Sequence, residues 1–248
     1  MRRAANFPAM TVTLFVPCFM DAVYPAAAMG MVTVLERLGH RIDFPEELAC
    51  CGQPPFNAGH WAEAREMARP VLKRLAGAEV VVIGSGSCGA MLKVFYRELF
   101  AGEPEEAMAA EVAGKVWEFS SFLVDRLGVT DVGARFARRV TFHDGCHGLR
   151  ELRIKSAPRV LLGKVRDLEL VEMTEAVETC CGFGGTFATK HAAVSTAMGE
   201  VKCAAAVASG AEVVVSNDAS CLMHLRGLLV RQGVPLQTLH LAEVLVQS

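Results

Sequence analysis

The sequence predicts an α/β protein made of two tandem, pseudo-symmetric βαβ repeats, each a Rossmann-like unit with a parallel sheet. The strongest observation is an internal duplication, because GAEVVVIGSGSC (77–88) recurs as GAEVVVSNDASC (210–221). Each half also alternates β-branched runs with segments of helical periodicity, a pattern typical of parallel βαβ units. We therefore expect one domain over residues 10–130 and a second over residues 138–248, joined by the segment GVTDVGARFARR.

The first half is predicted to open with the strand TVTLFVPC (11–18), which ends at a cysteine. The helix AAAMGMVTVLERLG follows and stops at Gly39, a residue type that commonly ends helices. A second helix is expected in HWAEAREMARPVLKRLAG, where Pro70 should kink or interrupt the backbone. The next strand, EVVVIG, is a continuous apolar run of the kind found in strands that are buried on both faces.

The second half repeats this order of elements and carries cysteines at matching places. Each half has one cysteine after its first strand, an adjacent pair followed by glycine, and one cysteine after a later strand. The first quartet is Cys18, Cys50, Cys51 and Cys88, and the second quartet is Cys146, Cys180, Cys181 and Cys221. Because sites in parallel sheets gather at the carboxyl ends of strands, we expect the four thiols of each half to converge.

The number of cysteines points to metal or redox chemistry. The chain has nine cysteines and no C-x-x-C motif, which excludes the thioredoxin signature and the usual zinc-finger spacing. Four thiolates can bind one zinc ion or one iron–sulfur cluster. Adjacent thiols reach a single tetrahedral ion poorly, whereas they can bind different irons of a cluster, so the pairs favour a cluster. The ninth cysteine, Cys203, has no counterpart and is expected to be a small buried apolar residue.

The doubled pattern C-x31-CCG…C and C-x33-CCG…C, with FHDGCHGLR (142–150) and TCCGFGGTF (179–187), resembles the tandem cysteine-rich CCG domains of iron–sulfur oxidoreductases. That family includes the cysteine-rich subunit of heterodisulfide reductase and the iron–sulfur subunit of glycolate oxidase. The small two-repeat form without ferredoxin motifs most resembles the lactate utilization members. This resemblance implies one or two [4Fe-4S] clusters. One would be held by the second quartet and the other by the first. For the first quartet, the alternative is a zinc site or a decayed repeat with buried thiols.

The resemblance also implies a role for the chain. We expect an electron-transfer subunit of a cytoplasmic complex that oxidises a small 2-hydroxy acid, with L-lactate to pyruvate as the first choice. The expected partner within the complex is a ferredoxin-like iron–sulfur protein. A heterodisulfide-reductase-like thiol–disulfide reductase is the alternative enzyme, and a non-catalytic zinc-binding interaction module is the alternative without catalysis.

The chain departs from the family pattern at two matching positions. The family ends each half with C-x-x-C, whereas Ser85 and Asp218 here replace the first cysteine of that motif. Five cysteines per half accompany disulfide chemistry in heterodisulfide reductase, so four per half favour an ordinary cubane cluster and electron transfer. Asp218 is interpreted as an oxygen ligand or as the cap of the helix that follows it.

Basic residues are concentrated around the second quartet. His143, His147 and His224 flank its cysteines, and basic side chains near a negatively charged cluster stabilise its reduced form. His143 is interpreted as a hydrogen-bonding residue of the core, whereas His147 and His224 are equally well explained as residues that support a cysteine ligand or as plain structural residues. The first quartet has few basic neighbours in the sequence.

Composition excludes several other function classes. The formal net charge of −2, without a basic run, argues against nucleic acid as a main partner. No apolar stretch approaches the roughly 18 residues of a membrane span, and the start lacks a segment long enough for a signal peptide. No G-x-G-x-x-G motif follows the first strand, so no nucleotide site is predicted. The sequence therefore indicates a cytoplasmic protein.

Overall fold

The computed structural model describes residues 8–45 and 50–248 and contains two four-stranded parallel sheets. The strands of the first sheet are β1 (Thr11–Phe15), β2 (Arg41–Asp43), β3 (Val80–Ile83) and β4 (Val116–Glu118). The strands of the second sheet are β5 (Arg139–His143), β6 (Glu169–Leu170), β7 (Val213–Ser216) and β8 (Gln237–His240). The predicted α/β class and the two repeats are confirmed. The expectation about a signal peptide rests partly on residues 1–7, which lie outside the described residues.

Both sheets have the same strand order. It is β2–β1–β3–β4 in the first sheet and β6–β5–β7–β8 in the second, with parallel pairing throughout. The order reverses between β1 and β3 and between β5 and β7, and ligands of open α/β sheets bind at the carboxyl ends of strands at such a point. Every residue of β3 and of β7 is buried, as expected for central strands with continuous apolar runs.

Helices connect the strands in matching positions of the two halves. The helices of the first half are α1 (Cys18–Val23), α2 (Pro25–Arg37), α3 (Gln53–Asn57), α4 (Trp61–Ala76), α5 (Gly86–Ala90), α6 (Tyr96–Leu99), α7 (Glu106–Lys115) and α8 (Phe119–Ser121). The helices of the second half are α9 (Cys146–Arg150), α10 (Ser156–Leu162), α11 (Thr186–Lys190), α12 (Ala192–Ala208), α13 (Ala219–Arg231) and α14 (Leu241–Leu245). Two π-helical turns, Met91–Phe95 and Phe122–Arg126, continue α5 and α8.

Two expectations about helices can be compared with these elements. α4 continues through Pro70, so the predicted interruption at this residue is wrong.

Among residues 8–45 and 50–248, no helix has both the length and the apolar character needed to cross a membrane.

One hydrophobic core extends across both halves. It includes Leu14 and Phe122 from the first half and Phe142 and Leu241 from the second. The last helix, α14, packs on α2, and α8 packs on α10, so each half contributes a helix to the other. The segment 128–138 that joins the halves contains neither helix nor strand. The domain limits of 10–130 and 138–248 stay a prediction.

Buried polar contacts also join the halves, at the carboxyl ends of equivalent strands. His240, the last residue of β8, donates from Nε2 to the carbonyl oxygen of Gly84, 2.9 Å away. Glu118, the last residue of β4, accepts hydrogen bonds from Ser120, whose hydroxyl in turn accepts from Asn217 Nδ2 at 3.3 Å. Gly84 and Asn217 are each the second residue after the repeated GAEVVV segment. The duplication is therefore expressed as paired contacts across the interface.

The buried carboxyl group of Glu118 predicts a pH-dependent stability. Burial raises the pKa of Glu118 to about 7, although hydrogen bonds from Ser120 and Ser121 act in the opposite direction. A carboxyl group whose pKa is raised in the folded state keeps its proton up to a higher pH in the folded chain than in the unfolded chain. The free energy of unfolding should therefore fall as pH rises from the unfolded pKa through about 7, by on the order of 3 kcal/mol.

Glu118→Gln should remove this component, so urea unfolding of the variant should depend less on pH between about 5 and 8. Glu36→Gln, on the exposed face of α2, is the matched control and should leave the wild-type pH profile unchanged. The wild-type protein and both variants are compared at equal metal content per chain. Parallel profiles for wild type and Glu118→Gln would contradict the assignment.

Candidate metal centres

The sheet topology places one cysteine of each quartet after each central strand. Cys18 opens α1 directly after β1, and Cys88 lies in α5 directly after β3. In the second half, Cys146 opens α9 after β5 and Cys221 lies in α13 after β7. Because the central strands are parallel neighbours, their carboxyl ends bring the two cysteines of each half to the same edge of the sheet.

The adjacent cysteine pairs reach the same edge through tight glycine turns. Gly52 has φ +83° and Gly182 has φ +90°, a left-handed conformation that L side chains rarely adopt. A Cβ on Gly52 would lie 2.9 Å from the carbonyl oxygen of Ala64 in α4. A Cβ on Gly182 would collide with the carbonyl oxygen of Ser195 in α12. The glycine after each cysteine pair therefore allows a helix, α4 in the first half and α12 in the second, to pack directly on the cysteine loop.

The thiols of each quartet contact one another in the same order in both halves. In the first quartet, Cys51 Sγ and Cys88 Sγ are 3.3 Å apart, and Cys50 accepts a hydrogen bond from Cys18. In the second quartet the matching separations are 3.1 Å between Cys181 and Cys221 and 3.9 Å between Cys180 and Cys146. The structure thus brings together all four predicted thiols of each half.

One thiol of each quartet is strongly acidic. Hydrogen bonds from the thiols on either side lower the pKa of Cys50 to about 3 and that of Cys180 to about 2. The backbone N–H of Gly182 also donates to Cys180 Sγ at 3.4 Å. Donating these thiol hydrogen bonds, together with burial, raises the pKa of Cys51 and Cys181. Each quartet therefore holds a thiolate, the form that binds metals, at neutral pH.

Both quartets open on one cavity of about 150 Å³, which all eight cysteines line. The cavity lies where the halves meet, because α5 and α9 cross there at close range. A Cβ on Gly86 would lie only 2.9 Å from the backbone of Gly148. Phe19 and Phe183, one from each half, pack edge to face beside it with ring centroids 5.2 Å apart.

The four thiols of each quartet are not gathered around a single point. A tetrahedral zinc with Zn–S bonds of about 2.3 Å would hold all four sulfurs within about 3.8 Å of one another. Among the described residues, the single group of three metal-binding side chains with all ligand atoms within 4.8 Å comprises His143, Cys181 and Cys221. Neither quartet is gathered as tightly as one ion requires, whereas a cluster presents several irons to separate thiolates.

The two positions that depart from the C-x-x-C pattern contact each other across the interface. Asp218 Oδ2 accepts hydrogen bonds from the Ser87 N–H at 2.8 Å and from the Ser85 hydroxyl at 3.3 Å. Asp218 Oδ1 accepts from the hydroxyl of Ser220 at 2.7 Å. Asp218 stands at the N-cap position of α13, but its carboxylate accepts no hydrogen bond from a backbone N–H of that helix. Instead it caps α5 of the other half.

The three histidines near the second quartet have different surroundings. His143 is fully buried, and neither ring nitrogen has a hydrogen-bond partner among the described residues. Burial lowers the pKa of His143 to about 3, so its ring is neutral. His147 lines the cavity, whereas His224 Nε2 lies 3.4 Å from the Ser195 hydroxyl, against α12.

Two polar residues of the site were missed by sequence reasoning. Gln53 donates from Nε2 to the Ser87 carbonyl oxygen at 3.0 Å and to His147 Nδ1 at 2.9 Å. Its place immediately after the first CCG was the available signal. Lys202 is fully buried in α12 beside the second quartet, and nothing in its helical context distinguishes it from an exposed lysine.

Comparison with known proteins agrees with this geometry. The family model for the CCG cysteine-rich domain matches twice, at residues 12–93 and 140–226. Lactate utilization protein A of Geobacillus kaustophilus is 44% identical over 95% of this chain and 98% of its own length. The protein of the same name from Oceanobacillus iheyensis is 41% identical over 95% of this chain and 96% of its own length.

Among solved structures, a hypothetical protein from Helicobacter pylori has a similar fold, with a TM-score of 0.64 and 11% identity. It aligns with 97% of this chain, which spans about half (49%) of that protein's length. The doubled domain match and the near full-length similarity place this chain in the CCG cysteine-rich domain family, among the relatives of lactate utilization protein A.

Proposed function

We propose that the chain is an iron–sulfur electron-transfer subunit of a cytoplasmic oxidoreductase complex that oxidises L-lactate to pyruvate. Each quartet is assigned one [4Fe-4S] cluster. The observation that carries the proposal is the arrangement of eight matched cysteines around one cavity. The name and the near full-length similarity of the relatives support the substrate.

The chain's own residues would hold the two [4Fe-4S] clusters and shield them from water. A bound [4Fe-4S] cluster supplies transfer of one electron at a time. The acidic thiols of Cys50 and Cys180 are ready to bind iron without losing a proton, and the N–H of Gly182 donates to sulfur. Oxidation of a hydroxy acid to a keto acid releases two electrons and two protons, so two one-electron sites in one chain match its stoichiometry.

We assign the chemistry at lactate itself to a partner subunit. A carboxylate substrate calls for a cationic side chain, and no lysine or arginine is among the described residues that line the cavity. The proposed partner is a ferredoxin-like iron–sulfur protein of the same complex. A cytoplasmic location is proposed because free thiols and clusters persist in a reducing compartment.

The contact between Ser85 and Asp218 argues against thiol–disulfide chemistry. Both positions at which the family has a further cysteine are occupied by oxygen groups that hydrogen-bond to each other. Neither is an additional sulfur ligand, so the cavity offers four thiols on each side.

Electron transfer is tested on the chain purified without oxygen. Dithionite should reduce it and give the electron paramagnetic resonance signal of a reduced cluster, while lactate with an artificial acceptor should give no turnover. Coexpression with the partner subunits should restore lactate oxidation. A chain that dithionite cannot reduce would overturn electron transfer, and turnover by the lone chain would overturn the division of labour.

A further inference from the structure

Lys202 is a basic side chain inside the core of the second half. Its side chain is fully buried, and its ammonium group donates to the carbonyl oxygens of Ala176 and Val177, the latter at 2.9 Å. These carbonyls belong to the loop that leads into Cys180 and Cys181. Lys202 therefore both anchors that loop and places a positive charge behind the second quartet.

No carboxylate among the described residues lies within 4.0 Å of this ammonium group. The buried acid whose charge acts on Lys202, Asp144, is already held by two 2.9 Å hydrogen bonds from Arg159. A buried charge without a counter-charge is costly. Burial lowers the pKa of Lys202, and the charges of Asp144 and of the second-quartet thiolates oppose this effect.

A second basic side chain lies beside the same thiols. A ring nitrogen of His143 is within 4.8 Å of both Cys181 Sγ and Cys221 Sγ. Neither ring nitrogen has a partner among the described side chains and backbone groups. An imidazole ring carries at least one N–H, and hydrogen bonds to the sulfurs of a cluster raise its reduction potential.

The first half provides an internal comparison. Ser195 and Ala64 are equivalent, because the carbonyl oxygen of each faces the glycine after a cysteine pair. Seven residues further along the two helices, Lys202 corresponds to Val71, which is 2% exposed. His143 ends β5 where Phe15 ends β1. The first quartet therefore has apolar residues at both positions.

We propose that Lys202, assisted by the N–H of His143, is the counter-charge of the cluster held by the second quartet and raises its reduction potential. The first quartet has no equivalent, so the two clusters are electrostatically different although their ligands match. This inference rests on the proposed function. It adds a specific role for two residues that do not bind iron.

The test is potentiometric titration, followed by electron paramagnetic resonance, of Lys202→Met in two backgrounds. Cys51→Ser leaves only the second quartet complete, and Cys181→Ser leaves only the first. In the Cys51→Ser background, Lys202→Met should lower the ratio of reduced to oxidised cluster at fixed potential at least tenfold, which is about 59 mV for one electron. In the Cys181→Ser background it should change nothing.

Three further variants separate charge from packing. Lys202→Arg should keep the wild-type potential, and Lys190→Met, an exposed lysine of α11 near the same loop, should also keep it. His143→Phe, which copies the first half, should lower the potential of the second cluster. If Lys202→Met loses its iron, retention by Lys202→Arg would support the inference and loss by both would overturn it.

An unchanged potential in Lys202→Met with full iron, or an equal shift in both backgrounds, would also overturn the inference. Failure of the proposed function would look different. The unsubstituted chain would then contain no iron and no sulfide.

Discussion

Cys181→Ser is expected to remove the cluster of the second quartet and to leave that of the first. Cys181 is 2% exposed, and its Sγ lies 3.1 Å from Cys221 Sγ within the second quartet. A serine hydroxyl does not supply the thiolate that iron–sulfur clusters require. Iron per chain should fall from about eight to about four, measured on protein purified without oxygen.

Cys203→Ser is the matched control, because this cysteine is equally buried in the same half. Cys203 is 1% exposed, does not line the cavity, and places its Sγ 3.8 Å from the Leu225 carbonyl oxygen. Burial raises the pKa of Cys203 to about 11, so it remains a thiol. The variant should keep all of its iron. Loss of iron in Cys203→Ser with retention in Cys181→Ser would show that the assigned ligands are wrong.

Gly182→Ala is expected to damage the second half more than any surface substitution. The new methyl group would collide with the Ser195 carbonyl oxygen and lie 2.9 Å from Met198 Cβ, at a φ of +90°. Strain and overpacking together should cost about 4 kcal/mol of unfolding free energy. The loop can relieve the collision only by moving the cysteine pair, so iron in the second quartet should be lost as well.

Gly39→Ala separates backbone strain from collision. Gly39 has a similar φ of +87°, is exposed, and has no atom within 4 Å of a built Cβ. Its substitution should cost only about 1–2 kcal/mol and leave the iron content unchanged. Urea unfolding and iron analysis of both variants check the pair. Equal losses of stability, or full iron in Gly182→Ala, would contradict the proposed packing of α12 on the cysteine loop.

Periodicity and the internal repeat were sufficient to predict the fold class. The runs EVVVIG and EVVVS, repeated in register, identified the buried central strands β3 and β7. Helix continuity at Pro70 was not predictable in the same way, because packing of α4 on the sheet can stabilise a helix against a local break.

The convergence of four cysteines within each half was also predictable, since parallel strands carry the residues after them to one edge of a sheet. The relative placement of the two halves was not predictable, because no local sequence pattern encodes how one sheet is positioned against another. The contact of Ser85 with Asp218, the bond from Gln53 to His147 and the burial of Lys202 all depend on that placement or on α12 packing. Each becomes visible only in three dimensions.

Both quartets are proposed to hold iron–sulfur clusters. The most direct test is the content of iron, acid-labile sulfide and zinc per chain in protein purified without oxygen. We expect about eight irons and about eight sulfides per chain, with zinc near zero. Zinc in place of iron, with no sulfide, would contradict it and would favour a zinc-binding module.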